Sequence, residues 1–93
     1  MIVVNLHGVF RVEAGVSTFT LDIPESTTTG KAIIKILDTY PDLRKYWLTF
    51  DGGLSDHVLV AVNGVDIYSL PEKLQTKLHP DDRLDFFSPL SGG

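Results

Sequence analysis

The feature that most limits the fold is a single short helical stripe. Ile33, Ile36, Leu37 and Tyr40 recur at helical spacing and form one apolar face. Thr28 or Thr29 can serve as the N-cap, because a side-chain oxygen can accept from an orphan helix N–H. Pro41 stops the helix, since proline brings no N–H and pushes the preceding residue out of helical geometry. A helix of about 12 residues is marginal alone in water, so its stripe must pack against a sheet.

The rest of the chain supplies strands. Ile2, Val4 and Leu6 alternate within Met1 to His7. Phe19, Leu21 and Ile23 alternate with Thr18, Thr20 and Asp22. Ala14-Gly15 breaks the pattern between the two runs, which are expected to form a hairpin. Val58, Val60 and Val62 alternate with Leu59 and Ala61, and Asn63-Gly64 is a hairpin signal because both residues tolerate positive φ. Val65 to Tyr68 reads as the return strand, Pro71 to Leu78 as a short helical or 3₁₀ turn, His79 to Asp82 as a turn, and Arg83 to Ser88 as the last strand. Asp42 to Asp56 shows no period; Tyr46, Trp47, Leu48 and Phe50 are its candidate anchors, and Asp51-Gly52-Gly53 is a turn signal. The expected order is strand, strand, helix, strand, strand, strand. Apolar residues on both faces of several strands indicate central positions in a small mixed sheet.

Composition narrows the chemistry. Ninety-three residues, 43% of them apolar, suit one core and hence a single domain over residues 1–93. The chain contains no cysteine, which excludes disulfides, thiolate metal sites and cysteine nucleophiles. Eight Lys and Arg against twelve Asp and Glu give a net charge of −4. That argues against nucleic acid or an anionic membrane as partner, since both reward clustered positive charge. No apolar run approaches the roughly 18 residues of a membrane helix. Met1-Ile2-Val3-Val4 lacks a basic leader region, so a cytoplasmic location is expected.

No internal constellation reads as an active site. His7, His57 and His79 have no ligand spacing. Asp81 and Asp82 could hold a cation weakly, but Asp is also a common turn residue beside proline. The expectation is no metal and no bound cofactor. The five lysines, in or near helices and loops, are expected to serve solubility.

The carboxyl end is different. Leu84 to Phe87 alternates like an anchored strand and runs directly into Ser88-Pro89-Leu90-Ser91-Gly92-Gly93. Pro89 blocks further ladder pairing and stiffens the exit. Gly92 and Gly93 lack Cβ atoms and can lie in a channel too narrow for other residues. From Leu90 to Gly93 the reach is at most about 13 Å, enough to deliver a terminal carboxylate into another protein's active site. Residues 89–93 are therefore expected to be an extended tail. On the last strand Leu84 and Phe86 share the core face, and Phe87 points the other way. His7, Leu59 and Ala61 are also out of phase with the apolar rows of their strands. Together with Phe87 they form a candidate partner-binding patch. The alternative is that Phe87 packs under the 42–56 segment.

Three segments, Ala61-Val62-Asn63-Gly64, Pro80-Asp81-Asp82-Arg83-Leu84 and Phe86-Phe87-Ser88-Pro89-Leu90-Ser91-Gly92-Gly93, are similar to those of the ubiquitin-like sulfur carriers of the MoaD/ThiS type. The chain most resembles the MoaD family, the small subunit of molybdopterin synthase. Ser88 departs from bacterial members, which more often have proline there, and the longer 42–56 segment looks more like the archaeal, Urm1-like or cysteine-synthesis branches of the family. The resemblance implies an α+β, ubiquitin-like β-grasp fold: a mixed sheet of about five strands with one main helix packed across it. It also implies that an E1-like adenylyltransferase of the MoeB/ThiF type, using ATP and magnesium, adenylates the Gly93 carboxylate. Sulfur then displaces AMP to leave a thiocarboxylate, which donates sulfur to a pterin precursor in the large subunit of molybdopterin synthase (MoaE type). The chain would be a group carrier, with its partners supplying catalysis. A ubiquitin-like modifier joined through Gly93 to target lysines would use the same activated tail. A plain interaction module would not need the two glycines.

Overall fold

A computed structural model describes residues 1–88. Pro89, Leu90, Ser91, Gly92 and Gly93, which carry the expected tail chemistry, lie outside the described residues. The alternating segments form five strands: β1 (Ile2–Leu6), β2 (Thr18–Leu21), β3 (Leu59–Val62), β4 (Val65–Asp66) and β5 (Arg83–Phe87). Their order in the sheet is β2-β1-β5-β3-β4. β1 and β5 run parallel, with Val4 beside Leu84 and Leu6 beside Phe86. The other pairings are antiparallel. The sheet is therefore mixed, and β1, β5 and β3 are its interior strands.

One face of the sheet carries the helices. The longest, α2 (Thr29–Thr39), buries Ala32, Ile33, Ile36 and Leu37. Thr28 is its N-cap, accepting from the Lys31 N–H at 3.3 Å. Thr29 has a different task. It is fully buried, and its N–H and hydroxyl both donate to the Thr76 carbonyl, at 2.8 and 2.9 Å. The helix ends at Tyr40, immediately before Pro41. Against this face the strands set Ile2, Val4, Leu6, Val60, Val62, Leu84 and Phe86, all buried. The result is the α+β, ubiquitin-like β-grasp architecture.

Several local expectations are corrected. β1 and β2 do pair antiparallel, but a six-residue helix, α1 (Val9–Ala14), stands between them, and Gly15 ends it in the left-handed conformation. The Ala14-Gly15 break is thus a helix cap rather than a hairpin turn. In the 42–56 segment a 3₁₀ turn at Pro41–Leu43 leads into α3 (Arg44–Trp47). Leu43 and Trp47 are fully buried there, whereas Phe50, a candidate anchor, is fully exposed on the turn that follows. The return strand of the second hairpin is only Val65–Asp66, because the Asp66 carboxylate accepts from the Tyr68 N–H at 3.0 Å and closes a 3₁₀ turn over Ile67–Ser69. The turn between β3 and β4 has φ of 50° at Asn63 and 85° at Gly64, the two-residue geometry that Asn-Gly favours. The last strand ends at Phe87, one residue short of its expected limit.

Trp47 ties α1 to the sheet within the single core. Its ring stacks on Phe86 at 4.3 Å and meets Phe10 of α1 edge-on at 5.6 Å. Its indole N–H is buried and has no hydrogen-bond partner among the described residues. An orphan donor of this kind lowers stability. Trp47→Ala would nevertheless leave a cavity where the bulkiest of the fully buried side chains stood, and should cost about 3–5 kcal/mol in urea unfolding. Trp47→Phe, which keeps a ring and removes the orphan N–H, should cost under about 1.5 kcal/mol.

Candidate functional site

Strand parity and register build the site. The residues of β1, β5 and β3 that do not face the helices lie on the open face of the sheet. Asn5 sits beside Asp85, which sits opposite Ala61, and Leu59 sits opposite Phe87. The His7 N–H donates to the Phe86 carbonyl at 3.1 Å, extending the β1–β5 ladder by one residue. That step brings His7 alongside Phe87. The two rings stack with centroids 4.2 Å apart and planes within 9°. His7, Phe87 and Leu59 thus cross three adjacent strands at the end of the sheet where β5 runs toward residue 89. Ala61 is one ladder step away. Phe87 is 38% exposed and Leu59 46% exposed.

The alternative placement of Phe87, beneath the 42–56 segment, is not adopted. Its neighbour Phe86 occupies that position, against Trp47.

Asp85 was not anticipated as part of this surface. It is buried, at 8% exposure, although its side chain stands on the open face. Its Oδ1 pairs with His7 Nε2 at 3.0 Å, and its Oδ2 accepts from Arg83 Nε at 3.0 Å. Burial alone would raise the carboxyl pKa. Hydrogen bonds from His7, Arg83 and Asn5, with the Arg83 charge, outweigh it and hold the group below its ordinary value. The one sequence signal was a charged residue between Leu84 and Phe86, sharing strand parity with Phe87.

On the helix side of the same sheet end lies an apolar groove of about 450 Å³, lined by Val9, Phe10, Tyr46, Leu48 and Ser88 among others. Its wall is braced by the Tyr46 hydroxyl, which donates to Glu13 at 2.7 Å, with Lys45 3.5 Å from the same carboxylate oxygen. The Tyr46 bond is the main reason the Glu13 pKa is lowered, and Glu13 in turn raises that of Tyr46.

The acidic turn is occupied by structural bonds. Asp82 accepts from the His79 N–H at 2.7 Å and from the Asn63 side-chain amide at 2.9 Å, pinning the β3–β4 turn to the start of β5. Among the described residues no group of three or more His, Asp or Glu could hold a metal ion. No helix among them is long and apolar enough to cross a membrane.

The lowered pKa of Asp85 fixes a pH dependence. Its stabilisation is complete above the ordinary value of 3.8 and is lost as pH falls through the lower folded-state value. Asp85→Asn should be less stable than the parent by about 1–3 kcal/mol at neutral pH. The difference should shrink on acidification through the carboxylate range, as read from urea midpoints.

The ThiS family model matches residues 4–93. No curated protein sequence matches the chain. Among solved structures, the chain is similar to small archaeal modifier protein 1 from Haloferax volcanii, with 28% identity, a TM-score of 0.87 and coverage of 99% of this chain and 98% of that one. Small archaeal modifier protein 1 from Methanosarcina acetivorans follows at 24% identity and a TM-score of 0.84, covering 99% and 95%. The Amycolatopsis orientalis BexX/CysO complex contains a chain of the same fold at 17% identity and a TM-score of 0.79, covering 100% of both. These likenesses do not single out the MoaD branch. At the level of the family, the β-grasp sheet and the match across nearly the whole sequence agree: this chain belongs to the ThiS family of ubiquitin-like sulfur-carrier proteins.

Proposed function

We propose that this chain is a ubiquitin-like modifier, joined through the Gly93 carboxylate to lysines of target proteins. The observation that carries this reading is the 28% identity to small archaeal modifier protein 1 across essentially both chains. The chemistry needs a good electrophile, and a carboxylate is a poor one. In a partner E1-like adenylyltransferase of the MoeB/ThiF type, the Gly93 carboxylate attacks the α-phosphate of magnesium-bound ATP and pyrophosphate leaves. A lysine amine then attacks the acyl adenylate, or a thioester formed from it. AMP or the thiol departs, the amine loses a proton, and an isopeptide remains. Pro89, Leu90, Ser91 and Gly92 form the slim stalk that reaches the active site. Phe87, His7, Leu59 and Ala61 are the surface that docks. No cysteine is required in the chain itself, and the sequence has none.

Membership of the ThiS family favours a second use of the same intermediate. Hydrosulfide from a sulfur donor replaces the amine as nucleophile, its sulfur bonds to the Gly93 carbonyl carbon, AMP leaves, and Gly93 carries a thiocarboxylate. Delivery to a pterin precursor in a MoaE-type large subunit of molybdopterin synthase is one destination for that sulfur. Both reactions place the protein in the cytoplasm with its ATP-using partner.

Two measurements separate the readings. Purification under denaturing conditions from cells expressing a tagged chain should yield adducts whose peptides carry a C-terminal remnant on lysine. Intact mass after incubation with the cognate E1-like enzyme, ATP and a sulfur donor reads the other product, an oxygen-to-sulfur exchange. Thiocarboxylate without any lysine adduct would reverse the order of the two. Deleting Gly92 and Gly93 should abolish both products; retained function in that variant would remove the tail from the mechanism.

A further inference from the structure

Asp85 is an unusual occupant of the middle of a sheet. It stands on interior strand β5 between Asn5 and Ala61, and only 8% of it is exposed. Sinking a carboxylate there is unfavourable unless it is well bonded, and Asp85 is bonded at both oxygens. Arg83, its neighbour on the same strand, takes one. The other holds His7, which lies 78 positions away in sequence and is itself exposed over 42% of its side chain. One face of the His7 ring lies flat on Phe87. A chain of contacts thus runs from a fixed point in the sheet, through His7, to the ring nearest the tail.

We propose that His7 is a positioning residue: held by Asp85, it presets the Phe87 ring as part of a flat platform that the activating enzyme meets when it draws in the tail. This rests on the activation of Gly93 proposed above. A phenylalanine on the open face of a strand can occupy more than one rotamer. The stacked imidazole selects one before docking, so that less ordering remains to be done on association. The platform ends two residues before Pro89, so an enzyme that holds the tail extended must cover it. The charged groups beside it, Asp85 and Arg83, neutralise each other. The matching surface of the enzyme is therefore apolar and uncharged where it meets Phe87 and Leu59.

The test compares the parent chain with His7→Ala, His7→Phe, Asp85→Ala and the double variant His7→Ala/Asp85→Ala. Aromatic NMR spectra of the free proteins read the ring position. In Asp85→Ala the stacking-displaced resonances of His7 and Phe87 should move to averaged values. ATP–pyrophosphate exchange by the cognate E1-like enzyme reads docking. His7→Ala should raise the KM for the chain about tenfold with kcat kept, the pattern of lost binding rather than lost chemistry. His7→Phe should recover KM only in part, because a ring is again available to stack but Asp85 can no longer hold it. In the double variant the Phe87 resonances should match those of His7→Ala, since Asp85 reaches that ring only through His7. Unchanged ring resonances in Asp85→Ala would overturn the proposal, as would an unchanged KM for His7→Ala with a parent that is adenylated. If the parent itself supports no exchange, the activation of Gly93 fails instead, and the NMR comparison alone still decides whether Asp85 and His7 set the Phe87 ring.

Discussion

The structure depends on the parallel pairing of the first and last strands. Val3 to Leu6 lies along Arg83 to Phe86 in the centre of the sheet. The sheet's middle is therefore incomplete until nearly the whole chain is present, and the closing contact spans almost its full length. Such a long-range contact carries a loop-closure cost that only the assembled core offsets. The benefit is positional. β5 receives neighbours on both sides, so the ring of Phe87 is flanked by His7 from one strand and Leu59 from the other. A chain end carried on an edge strand would have support from one side only.

The elements readable from sequence were those governed by a single period. Ile2, Val4 and Leu6, the three valines from Val58 to Val62, and Ile33, Ile36 and Leu37 of the α2 stripe all bury as their spacing dictates, while Tyr40, the residue that caps the helix, is half-buried. The elements that were not readable lack a period to read. α1 has six residues and one buried side chain, Phe10, too few turns for a stripe. Leu43 and Trp47 sink into the core from a 3₁₀ turn and a four-residue helix, where position is set by the cavity they fill. The early end of β4 depends on a side chain, Asp66, capping the backbone two residues on.

The candidate surface was legible to the same degree and for the same reason. Parity alone places His7, Leu59, Ala61 and Phe87 on one face, because each is out of step with the buried row of its strand. Parity does not give register. The stacking of His7 on Phe87 and the bond to Asp85 follow only once β1 is laid parallel to β5. For Thr28 and Thr29 the sequence left two equivalent candidates, and packing divided the work: the first caps the helix, and the second ties it to Thr76.

The interior position of β5 also has a mechanical meaning. Its hydrogen bonds to β1 and β3 lie across the strand direction on both flanks. Traction applied at Ser88 along the strand loads these bonds together, in shear, instead of peeling them one at a time. Phe86, clamped against Trp47, adds a friction point immediately inside the exit. Force reaching Phe87 along the strand would therefore be shared by both flanking ladders at once.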